Sequence, residues 1–134
     1  MSVDFQARYD QAPPSYTKVN EKKFADLEAG TSILIPSPQD IEGVVNELSP
    51  GQTIELGELR ARLADRHGAD GSCPVMTGMN VRVVAELAFD ALDAGVPVDQ
   101  VVPVWRAVGP ASTPAKKRAG ASELIRRLRA NEAD

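Results

Sequence analysis

The stretch IPSPQDIEGVVNEL, residues 35–48, decides how the chain folds. Ser37 is a residue type that caps helices, and Pro38 suits a first helical position, where no N–H is needed. Asp40 falls at the positive end of the helix dipole. Ile41, Val44, Val45 and Leu48 follow at i, i+3, i+4 and i+7, so one face is apolar. SPG at 49–51 stops the helix with turn chemistry. A capped amphipathic helix here needs other elements to cover its face.

Working toward the C-terminus, TIEL (53–56) is short, β-tending and ambiguous. In LGELRARLADRHG (56–68), Leu56, Leu59 and Leu63 share a face, and Gly68 is a natural C-terminal cap. The loop GADGSCP (68–74) follows. TGMNVRVVAELAFDALDAG (77–95) predicts a long helix with Thr77 as cap and Gly95 as stop. Its buried stripe is Val81, Val84, Leu87, Ala88, Ala91 and Leu92. After Gly95 the texture turns to β. VVPVWRAV (101–108) is rich in branched residues, GPAS can reverse the chain, and Pro103 confines the strand to an edge. A last helix over 122–131 carries Leu124, Ile125 and Leu128 on one face, with Arg126, Arg127 and Arg129 around the rest.

Toward the N-terminus, residues 1–21 show no helical or strand period and contain Pro13-Pro14. They are expected to form a flexible arm whose Phe5, Tyr9 and Tyr16 dock locally, with a partner-gripping role as the alternative. The expected fold class is α+β, mostly helical: one winged helix-turn-helix-like domain over 22–134, with a C-terminal β-hairpin and helix.

The 134 residues suffice for one core. Aromatics make up only 4%, so that core must come from Val, Leu, Ile and Ala. A net charge of −4 argues against a protein that coats nucleic acid non-specifically, though it leaves room for a local basic footprint. The single cysteine, Cys73, has no partner for an internal disulfide, and no apolar run suits a signal peptide or membrane helix. A cytoplasmic setting, with no membrane partner, is the expectation.

Three clusters carry possible chemistry. Cys73 follows His67 by six residues, but a nucleophilic thiol needs a base in reach and a positive setting. Asp65 and Asp70 nearby oppose thiolate formation, so Cys73 reads as a small packing residue. A metal site from His67, Asp70 and Cys73 is one ligand short of a tetrahedral cage. No metal and no cofactor is expected. The second cluster is the start of the long helix, with Thr77, Asn80 and Arg82, where a helix N-terminus suits phosphate and Asn and Arg can read base edges. Glu86, Asp90 and Asp93 on the same helix oppose that use. The third is basic: Arg106, Lys116, Lys117 and Arg118, then Arg126, Arg127 and Arg129, either a phosphate-facing wing or a solvated helix face.

Residues 22–132 resemble the DNA-binding domain of the alkylguanine-DNA alkyltransferase superfamily, and are most similar to its alkyltransferase-like branch. The resembling pieces are GTSILIPSPQDIEGVV (30–45), ELGELRARLADRHGADGSCPVMTG (55–78), VPVWRAV (102–108) and AKKRAGASELIRRLRANE (115–132). The resemblance implies a winged helix-turn-helix that enters the minor groove of duplex DNA and turns a damaged guanine into a pocket. In the transferases a proline-cysteine-histidine-arginine motif supplies the alkyl-accepting thiolate. Alkyltransferase-like proteins replace that cysteine, usually with tryptophan, and bind the lesion without repairing it.

Here the motif reads Pro103-Val104-Trp105-Arg106. Valine has no nucleophilic atom and indole is no base at neutral pH, so self-alkylation by this motif is excluded. The resemblance makes these four residues a vestigial pocket and matches Arg82 to the arginine that fills the gap left by the flipped base. The family's nucleotide-rotating tyrosine falls on Leu56, and its small helical stretch on Val83, Val84 and Ala85.

The expected function is a non-enzymatic alkyltransferase-like DNA-binding protein, recognising alkylated or damaged DNA. Thr77, Asn80, Arg82, Arg106, Lys116, Lys117 and Arg118 would be the DNA contacts, and Trp105 could stack on a base. The alternative, from another class, is a protein-interaction or regulatory module that no longer binds DNA. A cysteine enzyme using Cys73 and His67 is the third reading. DNA binding requires Arg82 and the lysines to share a face away from the acidic residues.

Overall fold

Ser37 caps the first long helix as its chemistry requires: its side chain accepts the Asp40 N–H at 3.1 Å, and α2 then runs Pro38–Asn46. In the computed structural model, which describes residues 3–133, the chain is a mostly helical α+β single domain. Its six helices are α1 (Phe5–Gln11), α2, α3 (Leu56–Arg66), α4 (Pro74–Asp93), α5 (Thr113–Lys116) and α6 (Ala121–Glu132). Three strands, β1 (Tyr16–Val19), β2 (Ser32–Ile35) and β3 (Gly71–Ser72), form a small mixed sheet in the order β1-β2-β3. β1 and β2 are antiparallel, with Tyr16 opposite Ile35. β2 and β3 are parallel, with Leu34 opposite Ser72.

The apolar faces read from the sequence meet in one core. Ile41 and Val44 from α2, and Leu48 just after it, pack with Leu59 and Leu63 from α3 and with Val84, Ala88 and Phe89 from α4; Ile125 and Leu128 of α6 complete it. α4 is buried on more than one stripe, since Val83, Ala85 and Phe89 are each at most 1% exposed. A smaller cluster of Leu27, Ile33 and Ile35, joined by Cys73 and Met76, lies beneath the sheet.

Three expectations differ from the structure. Residues 5–11 and 16–19, expected within a flexible arm, form α1 and β1; residues 1–2 lie outside the described part. Helix α1 is seeded by Asp4, whose carboxylate accepts the Ala7 N–H at 2.9 Å, and β1 is held by its ladder to β2 rather than by any buried face. Helix α4 starts at Pro74, not Thr77. Cys73 stands at the cap position, and Thr77, fully buried, donates its hydroxyl to Cys73 O at 2.6 Å.

The expected C-terminal hairpin is absent. No strand forms after β3 among the described residues; Val104–Arg106 is one 3-10 turn instead. Pro103 cannot donate to a ladder, and Val101, Val104, Trp105, Ala107 and Val108 are all buried, without the alternation a half-exposed edge strand needs. A tight turn lodged among α4, α6 and the core satisfies both facts. The ambiguous TIEL also forms no strand, although the Ile54 N–H reaches Arg106 O at 2.8 Å. Among the described residues, no helix is long and apolar enough to cross a membrane.

Candidate functional site

The N-terminal half of α4 is the part of that helix left open. Val75 and Met79 are exposed, and Gly78 and Arg82 are half-buried on the same side. Two short capped helices frame it. Ser112 caps α5, accepting the Ala115 N–H, and so directs the chain to Lys117. Asp4 caps α1 and so places Phe5 and Arg8. Between these elements runs a groove of about 490 Å³. Its floor is apolar, with Val81, Ala107 and Val108, and Leu56 stands at its edge. Among the described residues, three cations reach it, Arg8, Arg82 and Lys117, and none of those lining it is Asp, Glu, His or Cys.

Arg82 is the central cation. Its guanidinium carbon sits 5.1 Å from the centroid of the Phe5 ring, a cation–π contact. Its Nε is buried and has no hydrogen-bond partner among the described residues. Leaving such a donor unmade is costly, so a ligand offering an acceptor there would gain from it.

The other expected DNA contacts lie elsewhere. Thr77 is in the core. Asn80 donates to Pro36 O at 2.8 Å, tying α4 to the approach of α2. Lys116 is exposed but does not line the groove. Arg118 is spent on the protein's own acids: Asp90 at 2.8 Å, Asp93 at 2.6 Å and Glu86 at 3.7 Å, with Phe89 beneath its guanidinium. Despite partial burial, which favours the neutral form, the Asp90 and Asp93 carboxylates raise the Arg118 pKa. Glu86, Asp90 and Asp93 therefore gather around Arg118 rather than around Arg82.

Pro103, Val104, Trp105 and Arg106, expected to form a vestigial pocket, do not line the groove. They are wrapped against the end of α6. Arg106 donates to Glu132 at 2.6 Å and to Leu48 O at 2.8 Å, and Trp105 donates its indole N–H to Glu132 at 2.9 Å. The Gly51 N–H reaches the same carboxylate at 3.1 Å. The hydrogen bonds from Arg106 outweigh the desolvation of the group and, with those from Gly51 and Trp105, hold the Glu132 pKa at about 2. Trp105 is 2% exposed, so its faces are core surface and stack on no base. Val104 is equally buried.

Cys73 and His67 do not form a site. Cys73 packs with the Leu27, Ile33 and Ile35 cluster, whereas His67 Nε2 lies 3.0 Å from Asp40. Ser15 donates to the same Asp40 carboxylate. The carboxylate thus stands between hydroxyl and imidazole, so the imidazole does not take up the hydroxyl proton as a Ser-His-Asp triad requires. Among the described residues, no group of three or more His, Cys, Asp or Glu side chains is arranged to hold a metal.

Sequence reasoning had Phe5 only as a locally docking aromatic, and missed Arg8 and Glu132. The N-cap potential of Asp4 was the one signal for Arg8. Glu132 carried none, because its partners lie far away in the chain. Comparisons with protein-family models, curated proteins and solved structures find no match for this chain.

Proposed function

We propose that the chain is a non-enzymatic nucleic-acid-binding protein of alkyltransferase-like, winged-helix type. In this reading α2, α3 and α4 act as the helix-turn-helix body and the β1–β2 hairpin stands in for the wing. The groove beside α4 takes an extrahelical base, from damaged duplex DNA, with its flanking phosphates.

One observation carries the reading. Arg82, Lys117 and Leu56, distant in sequence, line one acid-free groove with an apolar floor. An apolar slot suits the faces of a base, and cations at its rim suit phosphate. Arg82 and Leu56 are also positions that the family resemblance ties to base extrusion. The absence of catalysis rests on chemistry. Among the described residues, the only hydroxyl side chains in the groove are Ser112 and Thr113, no Cys, His, Asp or Glu lines it to serve as nucleophile or base, and Ser112 is committed to Gly109 O and to its helix cap.

Binding of labelled duplexes, with and without an alkylated guanine, tests this across salt concentration. Affinity is expected to fall steeply with salt. Arg82→Ala and Lys117→Ala should each weaken binding by roughly five- to tenfold and lower the salt slope by about one. Failure to bind either duplex at low salt, or an Arg82→Ala variant that binds like wild type, overturns the proposal.

A second reading, a protein-interaction module, is favoured by the internal neutralisation of Arg106 by Glu132 and of Arg118 by Asp90 and Asp93. It predicts no duplex binding at any salt concentration.

A further inference from the structure

Helix α1 lies along α4 and forms one wall of the groove. None of its seven residues is buried. Space opens on both sides of it. The groove itself takes up about 490 Å³, and on the other flank about 630 Å³ separates Phe5 and Gln6 from Leu87, Asp90 and Ala91. Beyond its packing along α4, few side-chain ties hold it down. Phe5 stacks on Arg82, the Tyr9 hydroxyl donates to Glu42 at 3.1 Å, and Gln39 donates to Tyr9 O at 2.8 Å. The link to β1 contains Pro13-Pro14, and Ser15 then anchors it firmly by accepting the Ser37 N–H at 2.8 Å. Residues 5–11 can therefore leave while the chain from Ser15 onward stays fixed. A helix this short does not persist in water without its packing.

Phe5 gives this weak attachment a purpose. Its flat apolar ring lies against the Arg82 guanidinium in the way a purine or pyrimidine would. The same contact shields Arg82, whose Nε is left unpaired beneath it. We infer that α1 is an autoinhibitory strap and that Phe5 occupies the base position of the groove. Nucleic acid enters by displacing Phe5 from Arg82, and α1 unfolds from α4 as it does so. This rests on the nucleic-acid reading of the groove. Arg8 departs with the strap, and Arg82 and Lys117 remain as the fixed cations.

The experiment pairs binding with hydrogen exchange on the full chain. The probe is a short labelled single-stranded oligothymidylate, whose bases need no extrusion. Phe5 is half-buried and lies outside the core, so Phe5→Ala is expected to fold, with at most a small drop in the urea midpoint. It should bind the probe roughly fivefold more tightly, because the open form no longer competes with the cation–π contact. Amides of residues 8–11 should exchange faster in Phe5→Ala, and faster in wild type once the probe is bound, with α4 unchanged. Arg82→Ala should abolish the difference between the two forms.

Equal or weaker binding by Phe5→Ala, with α1 still protected in the bound wild type, overturns the strap and makes α1 a wall of the site. Should no form bind oligothymidylate, the nucleic-acid reading fails and exchange alone decides. α1 amides as slow as those of α4 then overturn the strap. Fast α1 exchange, accelerated further by Phe5→Ala, then upholds only a detachable helix held by Phe5, and the base-mimicking role of Phe5 falls with the nucleic-acid reading.

Discussion

Replacing Glu132 by glutamine tests the lock at the end of α6. The variant keeps the shape, but Trp105 and Gly51 donate to different oxygens of the carboxylate, so the single amide oxygen can accept from only one of them, and the charge that faces Arg106 is gone. The size of the effect follows from the carboxyl's pKa, about 2 against an ordinary 4.5. At ~1.4 kcal/mol per pKa unit the full difference would be worth roughly 3 kcal/mol. The Glu132 side chain is 15% exposed, and that solvent contact reduces the expectation to about 2 kcal/mol.

The sign is fixed by the direction of the change. The folded pKa is depressed, so the stabilisation is complete above about pH 5, where both states are ionised. Between 4.5 and 2 the unfolded state takes up the proton first, and the advantage is lost as pH falls. Urea unfolding of wild type and Glu132→Gln, from pH 7 downward, should show a gap of about 2 kcal/mol at neutral pH that narrows steadily below pH 5. A gap under ~0.5 kcal/mol at pH 7, the level of an ordinary surface change, would refute the reasoning. So would a gap that stays constant through the acid range.

Two further outcomes follow from the packing. Trp105, the only tryptophan and 2% exposed, should resist quenching by acrylamide, and its emission should not change when the groove is filled. A quenching response to nucleic acid would place the ligand at Trp105 instead. Gly71→Ala puts a Cβ 2.6 Å from Leu27 Cδ2 in the small cluster beneath the sheet, and should cost about 1–2 kcal/mol by urea unfolding. Gly43→Ala, in α2 with open space around it, should instead stabilise by roughly 0.5–1 kcal/mol.

The helical body was legible because its signals are local. Ser37, Pro38 and Asp40 announce α2, and the spacing of Leu59 and Leu63 announces the buried face of α3. What failed was set by distant partners. Val102-Pro103-Val104 has β composition, but no strand lies beside it, and with burial on several sides the chain turns at Val104–Arg106 into a 3-10 turn. β1 is wholly exposed and exists only through pairing with β2, so no hydrophobic alternation could reveal it. The candidate site was half legible. Arg82 and Lys117 were chosen for their charge and do line the groove. Arg106 and Arg118 were chosen for the same reason, yet composition cannot tell a free cation from one held by an acid of the same chain.

The parallel pairing of β2 with β3 bears on the order in which the molecule assembles. Its contacts, Leu34 with Ser72 and the Ser32 N–H with the Asp70 carboxylate at 2.8 Å, close a loop of 38 residues that contains all of α2 and α3. The entropy of closing that loop is lost before two short strands can repay it. Docking of the two helices shortens the search, so the sheet should complete late, on a scaffold already formed. β3 leads directly into the first turn of α4, so the start of that helix, and with it the open groove, takes its final position only at that last step.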